Sequence, residues 1–297
     1  MAGIELKHIQ KAYTVDGWTF PVLKDICLQI PENSITVLLG KSGCGKTTLL
    51  RLVGDLEEPN GGEIHFAVTH KTAFVFQEPR LMPWLTVWDN TIFGLKKQSY
   101  DTGEIQALLE TVGLDGFQKA YPHQLSGGMQ QRVGLARALA SNPEVLLMDE
   151  AFSALDPLIR IQMQDELLAL QAKMKKTIVF ITHDLNEAIK LGDRIAIMKD
   201  GEIVQVGTSE QILTSPANEY VKRFVENVDR TRIVTASSIM IERPHIVQLR
   251  MKEGPEGAIR KMRENDLKVL PVVDDDGTLL GDVQLKSLLK LRKEHNP

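Results

Sequence analysis

The sequence predicts an α/β protein built on a mainly parallel sheet. Three uninterrupted apolar runs, TAFVFQ, EVLLMDE and KTIVFITH, have the length of strands rather than of helices. Strands that are apolar on both faces are typical of a parallel sheet covered by helices. A fourth run, SITVLLG, is followed by a glycine-rich turn and then by a helical pattern, KTTLLRLVGDL.

The segments around these runs predict the domain organisation. Short strands at residues 4–9, 22–30 and 35–39, broken by turns such as Asp16-Gly17, indicate an antiparallel β subdomain. Residues 84–140 are mostly helical in pattern and predict a helical subdomain inserted into the sheet domain. The run DRIAIMKDGEIVQVG predicts a hairpin that turns at Asp200-Gly201.

The chain divides into two unequal parts. We expect one large domain over residues 1–228, a charged linker over residues 229–236, and a small α+β domain over residues 237–297 with its own apolar pattern.

Composition argues against several classes of protein. The net charge of −4 over 297 residues gives no general attraction to nucleic acid, so no nucleic-acid partner is expected. Two cysteines, Cys27 and Cys44, do not make a disulfide framework and favour a cytosolic chain with free thiols. We expect no signal peptide, because the first residues, MAGIELKHIQ, have acidic Glu5 among the apolar ones and no long apolar core. We expect no spanning helix, because no apolar run reaches the ~18–20 residues that cross a bilayer. A role at a membrane would then require docking on another chain.

The first candidate site is GKSGCGKT, which fits G-x-x-x-x-G-K-[ST] and lies between a strand and a helix. In that context the pattern indicates a phosphate-binding loop, because its glycines let backbone N–H groups point at phosphate oxygens. We expect Lys46 to reach the β- and γ-phosphates and Thr47 to ligate Mg²⁺. The other residues predicted to contact the nucleotide here are Gly40, Lys41, Ser42, Gly43, Cys44, Gly45 and Thr48.

Polar side chains end three further strands of the predicted sheet. Asp149 and Glu150 end EVLLMDE, and we expect Asp149 to hold Mg²⁺ and Glu150 to act as general base toward water. Gln77 ends TAFVFQ and His183 ends KTIVFITH. Ligands of open α/β sheets gather at the carboxyl ends of strands, so all four side chains are expected near the phosphate-binding loop.

Two glycines open the helix predicted in HQLSGGMQQRVGLARAL. Glycine costs about 1 kcal/mol in a helix interior relative to alanine, so Gly127 and Gly128 need a reason. We expect Ser126 to cap this helix and the glycines to leave its backbone N–H groups bare for an anion. Within one chain the phosphate-binding loop already holds the phosphates, which leaves this helix end without a ligand.

Together these motifs resemble the ATP-binding subunit of ABC transporters over residues 1–228. GKSGCGKT resembles its Walker A loop, LSGGMQ its signature motif and VLLMDE its Walker B strand. Gln77 resembles its Q-loop, SALD with Asp156 its D-loop, and His183 its switch histidine. The resemblance implies a P-loop NTPase fold with ATP and Mg²⁺ as ligands.

The resemblance also assigns individual roles. It implies catalytic roles for Gln77, Glu150 and His183, and it places Gln77 at the metal as well. It implies that Tyr13 stacks on adenine and that Gln130 of the signature motif contacts the nucleotide.

The same resemblance implies a head-to-tail homodimer. Each signature helix, beginning at Ser126, Gly127 and Gly128, would face the γ-phosphate held by the other chain. Asp156 would lie at the same seam and couple the two sites. Hydrolysis would open the dimer.

The segment QEPRLMPWLTVWDN, residues 77–90, would be poorly solvated if it were exposed. In the resembled family this region faces polytopic permease subunits, which implies a peripheral protein on the cytoplasmic face of the membrane. An extracellular or periplasmic solute-binding protein would then be an indirect partner. Alternatively, Trp84 and Trp88 belong to the core of the helical subdomain.

Sequence details resemble two branches of importers. FQEPRLMPWLTVWDN resembles importers of nitrate, sulfonates or taurine, whereas MDEAFSALDPLIR and GDRIAIMKDGEIVQVGT resemble the quaternary-amine branch, which takes up glycine betaine, choline or proline. The C-terminal part favours the second branch, because residues 237–297 resemble one CBS repeat with Ile239-Met240, AIRKM and LPVVDDDGTLLGDV.

In the quaternary-amine branch such tails regulate activity in response to ionic strength or a nucleotide. Gln284 and Ser287 stand where nucleotide-binding CBS repeats place Ser or Thr and then Asp, which disfavours nucleotide binding here. The basic end, LKSLLKLRKEH, instead suggests a sensor of charge at a lipid surface. A dimer-stabilising appendage is the simpler alternative.

Two other classes of protein compete with the importer. Soluble ABC-type ATPases of translation or DNA repair usually carry two ATPase units or a long coiled coil, whereas this chain has one phosphate-binding loop and no sustained heptads. A P-loop kinase would not explain LSGGMQ, or Asp149-Glu150 together with His183. The importer ATPase is therefore the favoured interpretation.

Overall fold

The computed structural model describes residues 2–67, 71–95, 99–226, 249–250, 253–274 and 278–294. The chain divides into two compact units, Met1–Val234 and Thr235–Pro297. Within the described ranges, no helix combines the length and the apolar character needed to cross a membrane. The predicted linker, residues 229–236, and the predicted Ile239-Met240 segment lie outside the described residues.

The larger unit is built on a six-stranded sheet in the order β5-β6-β7-β3-β8-β9. The five strands β5, β6, β7, β3 and β8 pair in parallel with their neighbours in that order. Strand β9 pairs antiparallel with β8 after a turn at Asp200-Gly201. The predicted parallel sheet and hairpin are therefore confirmed. The strands are β3 Ile35–Leu39, β5 Thr72–Val75, β6 Val145–Asp149, β7 Thr177–Thr182, β8 Arg194–Lys199 and β9 Glu202–Gly207.

Both faces of this sheet are covered, which explains the uninterrupted apolar runs. Along β3, Ile35, Val37 and Leu39 pack into one apolar cluster, while Leu38 packs into a second. Successive side chains of a strand point to opposite faces, so alternate residues enter different cores, and β3 is apolar on both faces apart from the buried Thr36.

A second, antiparallel sheet has the order β2-β1-β4, with β1 Ala2–Val15, β2 Trp18–Pro31 and β4 Gly61–Phe66. The turn between β1 and β2 is at Asp16-Gly17, where both residues have positive φ, 51° and 80°. These strands are longer than the predicted 4–9 and 22–30. Register shifts along the β1–β2 ladder interrupt the polar–apolar alternation by which a strand is recognised.

Helices occupy the connections of the six-stranded sheet. The predicted helical subdomain lies between β5 and β6 and contains α2 to α4 with two short 3₁₀ helices, Phe93–Leu95 and Pro122–Gln124. The helices are α1 Lys46–Val53, α2 Val87–Thr91, α3 Thr102–Thr111, α4 Gly127–Ala140, α5 Pro157–Met174, α6 Leu185–Leu191, α7 Ser209–Thr214 and α8 Glu219–Val225.

The smaller unit has its own sheet and core. Its strands are Leu249–Arg250, Val269–Val273 and Leu279–Gln284, and its helices are Pro255–Glu264 and Leu285–Glu294. A separate apolar cluster, which includes Leu249, Ile259, Met262 and Leu270, holds it together.

Candidate functional site

The phosphate-binding loop leaves β3 at Gly40 and enters α1 at Lys46. A Cβ at Gly40 would lie 2.5 Å from the carbonyl oxygen of Met198, so a larger residue does not fit. Gly43 and Gly45 have φ of 82° and 103°, which glycine adopts at no steric cost. Glycine is thus required at Gly40 by tight packing, and it is favoured at Gly43 and Gly45 by the left-handed backbone.

The loop encloses the ammonium group of Lys46, whose side chain is buried. Lys46 Nζ donates hydrogen bonds to the carbonyl oxygens of Gly40 at 2.7 Å and Lys41 at 3.1 Å. The N–H of Cys44 donates to the same Lys41 oxygen at 3.3 Å. The Cys44 thiol is buried, and burial raises its pKa. The loop therefore places one positive charge at its centre.

A hydroxyl and a carboxylate meet beside this loop. Thr47, at the start of α1, donates through Oγ1 to Asp149 Oδ1 at 3.1 Å. Burial of the Asp149 carboxyl raises its pKa, the nearby charge of Glu150 raises it further, and the hydrogen bond from Thr47 lowers it. Hydroxyl and carboxylate oxygens are ligands that Mg²⁺ accepts, so this pair has the donor chemistry for that ion.

Glu150 follows β6 with a left-handed backbone, φ 45°, which is uncommon for a residue with a side chain. Its carboxylate lies between two basic groups, with Oε1 4.0 Å from Lys46 Nζ and Oε2 3.4 Å from His183 Nδ1. The Ser153 hydroxyl donates to the Glu150 carbonyl oxygen at 2.9 Å and helps to fix this turn. A carboxylate held in this way can accept a proton from water.

These side chains surround a cavity of about 420 Å³. Gln77 reaches it from the segment after β5, and Val22 enters its wall from β2. Val22 was not predicted, because nothing in its local sequence signals a long-range contact with the loop. The residues that line the cavity are Val22, Ser42, Gly43, Gly45, Lys46, Thr47, Thr48, Gln77, Asp149 and Glu150.

Several predicted site residues are not among the described residues that line this cavity: Gly40, Cys44, His183, Tyr13 and Lys41. Tyr13 on β1 is not among the described residues that line the cavity, and its hydroxyl donates to Glu57. Burial and this hydrogen bond both raise the pKa of Tyr13. Lys41 is exposed and faces a different cavity, which it shares with Lys199 and Tyr220. For all of these residues, contact with the nucleotide stays a prediction.

The signature helix α4 begins as the sequence suggests, with the Ser126 hydroxyl accepting a hydrogen bond from the N–H of Met129 at 3.3 Å. A Cβ at Gly128 would lie 2.7 Å from Ile159 Cγ2, so packing within the chain requires that glycine. A Cβ at Gly127 would meet nothing within 4 Å. Packing among the described residues therefore explains only one of the two glycines.

Two other predicted residues have structural partners within the chain. The Gln130 side-chain amide donates to the Pro122 carbonyl oxygen at 2.9 Å. Asp156 caps α5, because its Oδ1 accepts from the N–H groups of Leu158 and Ile159, both at 3.1 Å. Their roles toward a nucleotide on a second chain stay predictions.

The signature helix also holds the backbone on both sides of Gln77. The Gln131 amide donates to the Phe76 carbonyl oxygen at 3.0 Å. Arg137 donates to the carbonyl oxygens of Pro79 at 2.5 Å and Arg80 at 2.9 Å. These hydrogen bonds, here called the Arg137 brace, were not predicted from the sequence, since Gln131 and Arg137 have the pattern of ordinary polar residues of a helix.

Comparison with known families matches residues 23–153 to the family described as ABC transporter and residues 236–294 to the CBS domain. The chain is 50% identical to the glycine betaine/carnitine transport ATP-binding protein GbuA of Listeria monocytogenes, over 90% of this chain and 71% of GbuA. It is 49% identical to the glycine betaine transport ATP-binding protein OpuAA of Bacillus subtilis, over 85% of this chain and 64% of OpuAA. The chain thus spans less than two thirds of the length of OpuAA.

Among solved structures, the chain resembles the dimeric, post-hydrolysis state of the ATP-binding cassette MJ0796 bound to ADP and Pi. The TM-score is 0.61 at 33% identity, covering 69% of this chain and 98% of MJ0796. The sequence similarity to GbuA extends over most of both chains. This chain also has the phosphate-binding loop before α1, the Walker B strand β6 and the signature helix α4. The chain therefore belongs to the ABC transporter family, as one of its ATP-binding proteins.

Proposed function

We propose that this ABC ATPase powers the import of a quaternary amine, such as glycine betaine, through a membrane permease. The observation that carries the ATPase mechanism is the convergence of Lys46, Thr47, Asp149, Glu150 and His183 at one end of the six-stranded sheet. The solute is inferred from the relatives GbuA and OpuAA, whose names specify glycine betaine.

The phosphate-binding loop is proposed to bind the triphosphate. Lys46 would transfer its hydrogen bonds from the loop carbonyls to the β- and γ-phosphate oxygens. Thr47, Asp149 and Gln77 would hold Mg²⁺, which neutralises charge on the phosphates when bound. The Thr47–Asp149 contact supports this assignment, because it already brings two oxygen donors to 3.1 Å from each other.

Hydrolysis needs a group that takes a proton from the attacking water. We assign this role to Glu150, whose carboxylate lies 4.0 Å from the Lys46 ammonium of the loop. His183 would orient that carboxylate and sense the γ-phosphate, in line with its 3.4 Å approach to Glu150. Gln77 is proposed to position water at the edge of the cavity it lines.

The complete site is proposed to form between two copies of the chain. Gly127 supports this, because the space beside it is open and no packing among the described residues requires a glycine there. In the dimer, the N–H groups at the start of α4, with Ser126 and Gln130, would face the γ-phosphate of the other chain. Asp156 would lie at the same seam, and the dimeric MJ0796 cassette offers a precedent.

The permease is proposed to dock on the surface after Gln77, at the cytoplasmic face of the membrane. Trp84 is 70% exposed, whereas Trp88 is partly buried against the main core, so the two rings differ in role. The extracellular or periplasmic solute-binding protein would act through the permease. The smaller unit, which matches the CBS domain, is proposed as the regulatory part that follows a linker near residues 229–236.

Reconstitution tests the function as a whole. The chain and its genetically neighbouring permease would be placed in vesicles with the solute-binding protein, and ATP-driven uptake of radiolabelled glycine betaine and taurine would be measured. We expect glycine betaine to accumulate with wild-type protein and not with Lys46→Ala. Accumulation of taurine instead would move the chain to the sulfonate branch, and absence of any permease association would contradict the importer.

A further inference from the structure

We propose a zinc site on the antiparallel sheet, formed by His8 of β1 with Asp25 and Cys27 of β2. The three side chains are exposed, and their ligand atoms all lie within 4.8 Å of one another. None of the three is among the described residues that line the nucleotide cavity. The site is therefore separate from the ATPase chemistry.

The distance between the His8 nitrogen and the Cys27 sulfur fits a tetrahedral ion. His8 Nδ1 lies 3.7 Å from Cys27 Sγ and 2.8 Å from Asp25 Oδ1. Zinc bonds of about 2.0–2.1 Å to nitrogen and about 2.3 Å to sulfur, at a tetrahedral angle, separate those two atoms by about 3.5 Å. The nitrogen and sulfur are thus close to the required separation, and the Asp25 oxygen would lie about half an ångström farther from the nitrogen once both bound the ion.

Two irregularities of the β1–β2 ladder create this arrangement. The register shift beside Cys27 puts two residues, Lys7 and His8, opposite one, and the next shift puts Lys24 and Asp25 opposite Gln10. His8 adopts a left-handed φ of 51°, and its N–H donates to Cys27 Sγ at 3.4 Å. Bulges re-aim side chains, and here they turn donors of two strands toward one point.

The donor set selects the class of metal. An imidazole nitrogen, a carboxylate oxygen and a thiolate sulfur suit Zn²⁺, whereas Mg²⁺ and Ca²⁺ prefer oxygen donors throughout. Three protein ligands leave a fourth position for water, as in open zinc sites. Both Asp25 and an ionised Cys27 are negative, so a divalent cation would neutralise them.

The same sheet offers a matched control. On β4, His65 Nε2 lies 2.9 Å from Glu63 Oε2, so this exposed pair also joins an imidazole to a carboxylate. No third ligand of this kind lies within the same reach among the residues that the structure describes. Zinc should therefore distinguish the His8 site from the His65 pair.

The test uses the full chain, freed of metal, and Zn²⁺ titrated in competition with a chromophoric chelator. Co²⁺ serves as a second probe, because thiolate ligation gives a charge-transfer band. We expect one equivalent of Zn²⁺ to bind, and Cys27→Ser to abolish the cobalt band. We expect Cys27→Ser and His8→Gln each to weaken zinc binding at least tenfold, since even the partners of metal ligands contribute about 10–100-fold.

His65→Gln should keep the wild-type affinity. Asp25→Asn provides an independent ligand variant, and equal melting temperatures in chelator would show that each variant folds. The proposal is overturned if wild-type protein takes up no stoichiometric zinc. It is equally overturned if Cys27→Ser retains both the affinity and the cobalt band.

Discussion

Glu150 Oε2 lies 3.4 Å from His183 Nδ1, so the carboxylate that follows β6 and the imidazole that follows β7 are neighbours. The two strands are adjacent in the sheet and end at the same edge. The same carboxylate lies 4.0 Å from the Lys46 ammonium, and we propose that it accepts a proton from water beside the γ-phosphate.

Replacing Glu150 with glutamine should separate binding from hydrolysis. Glutamine preserves the shape of the side chain but does not accept the proton of water. We expect Glu150→Gln to bind ATP with affinity near that of the wild type and to hydrolyse it about 10²–10⁴-fold more slowly. Single-turnover phosphate release measures the rate, and turnover equal to the wild type would remove Glu150 from the role of base.

Removing the loop ammonium should weaken nucleotide binding. Hydrogen bonds to charged groups contribute about 1.5–3 kcal/mol, so Lys46→Ala should lose roughly tenfold or more in ATP affinity. Equilibrium titration with a fluorescent ATP analogue measures this loss. Lys190→Ala is the control, because it removes the same charge from a lysine that pairs with Asp165 on α5. Unchanged ATP affinity in Lys46→Ala would refute the phosphate contact.

The glycines of the signature helix should respond differently to substitution. Gly127→Ala meets open space within the chain, so we expect stability at or slightly above that of the wild type together with loss of ATP-driven dimerisation. Gly128→Ala should in addition lower the melting temperature, because its methyl group would lie 2.7 Å from Ile159 Cγ2.

Gly134→Ala is the matched control for these two variants. It lies on the same helix, and an added Cβ would make ordinary contact with Pro79 at 3.6 Å. Calorimetry gives the stabilities, and light scattering gives the mass with Mg-ATP. An ATP-bound dimer of normal affinity in Gly127→Ala would exclude a nucleotide at this helix end.

Deleting residues 237–297 should leave basal ATP hydrolysis within a few-fold of the wild type while changing its regulation. Each unit has its own apolar core, so the larger one is expected to fold without the smaller. Hydrolysis measured across a range of ionic strength, with permease present, checks the regulatory role. A truncated chain that does not fold would show that the domain boundary is wrong.

The sequence predicted those features that depend on local chemistry. The glycine-rich loop between β3 and α1, the polar residues that follow β5, β6 and β7, and the cap at Ser126 each follow from a few adjacent residues, and the structure has these local features. Parallel pairing then brings the strand ends together without further information, because neighbouring parallel strands end at one edge.

Features that depend on distant contacts were not predictable in this way. The wall position of Val22, the hydrogen bond from Tyr13 to Glu57 and the Arg137 brace join segments far apart in the sequence. The left-handed turn at Glu150 was also hidden, since glutamate carries no preference for that backbone. The strand β1 was predicted too short because bulges break its alternation.

Two copies of the chain are expected to share each ATP. This sharing is tested most directly by the mass of Glu150→Gln in solution, measured by sedimentation with and without Mg-ATP over a range of protein concentrations and with the permease present. We predict that Glu150→Gln is a monomer without nucleotide and a dimer with Mg-ATP. The double variant that also carries Gly127→Ala should stay a monomer with Mg-ATP. A chain that stays monomeric with saturating Mg-ATP at every concentration, permease included, would contradict the account.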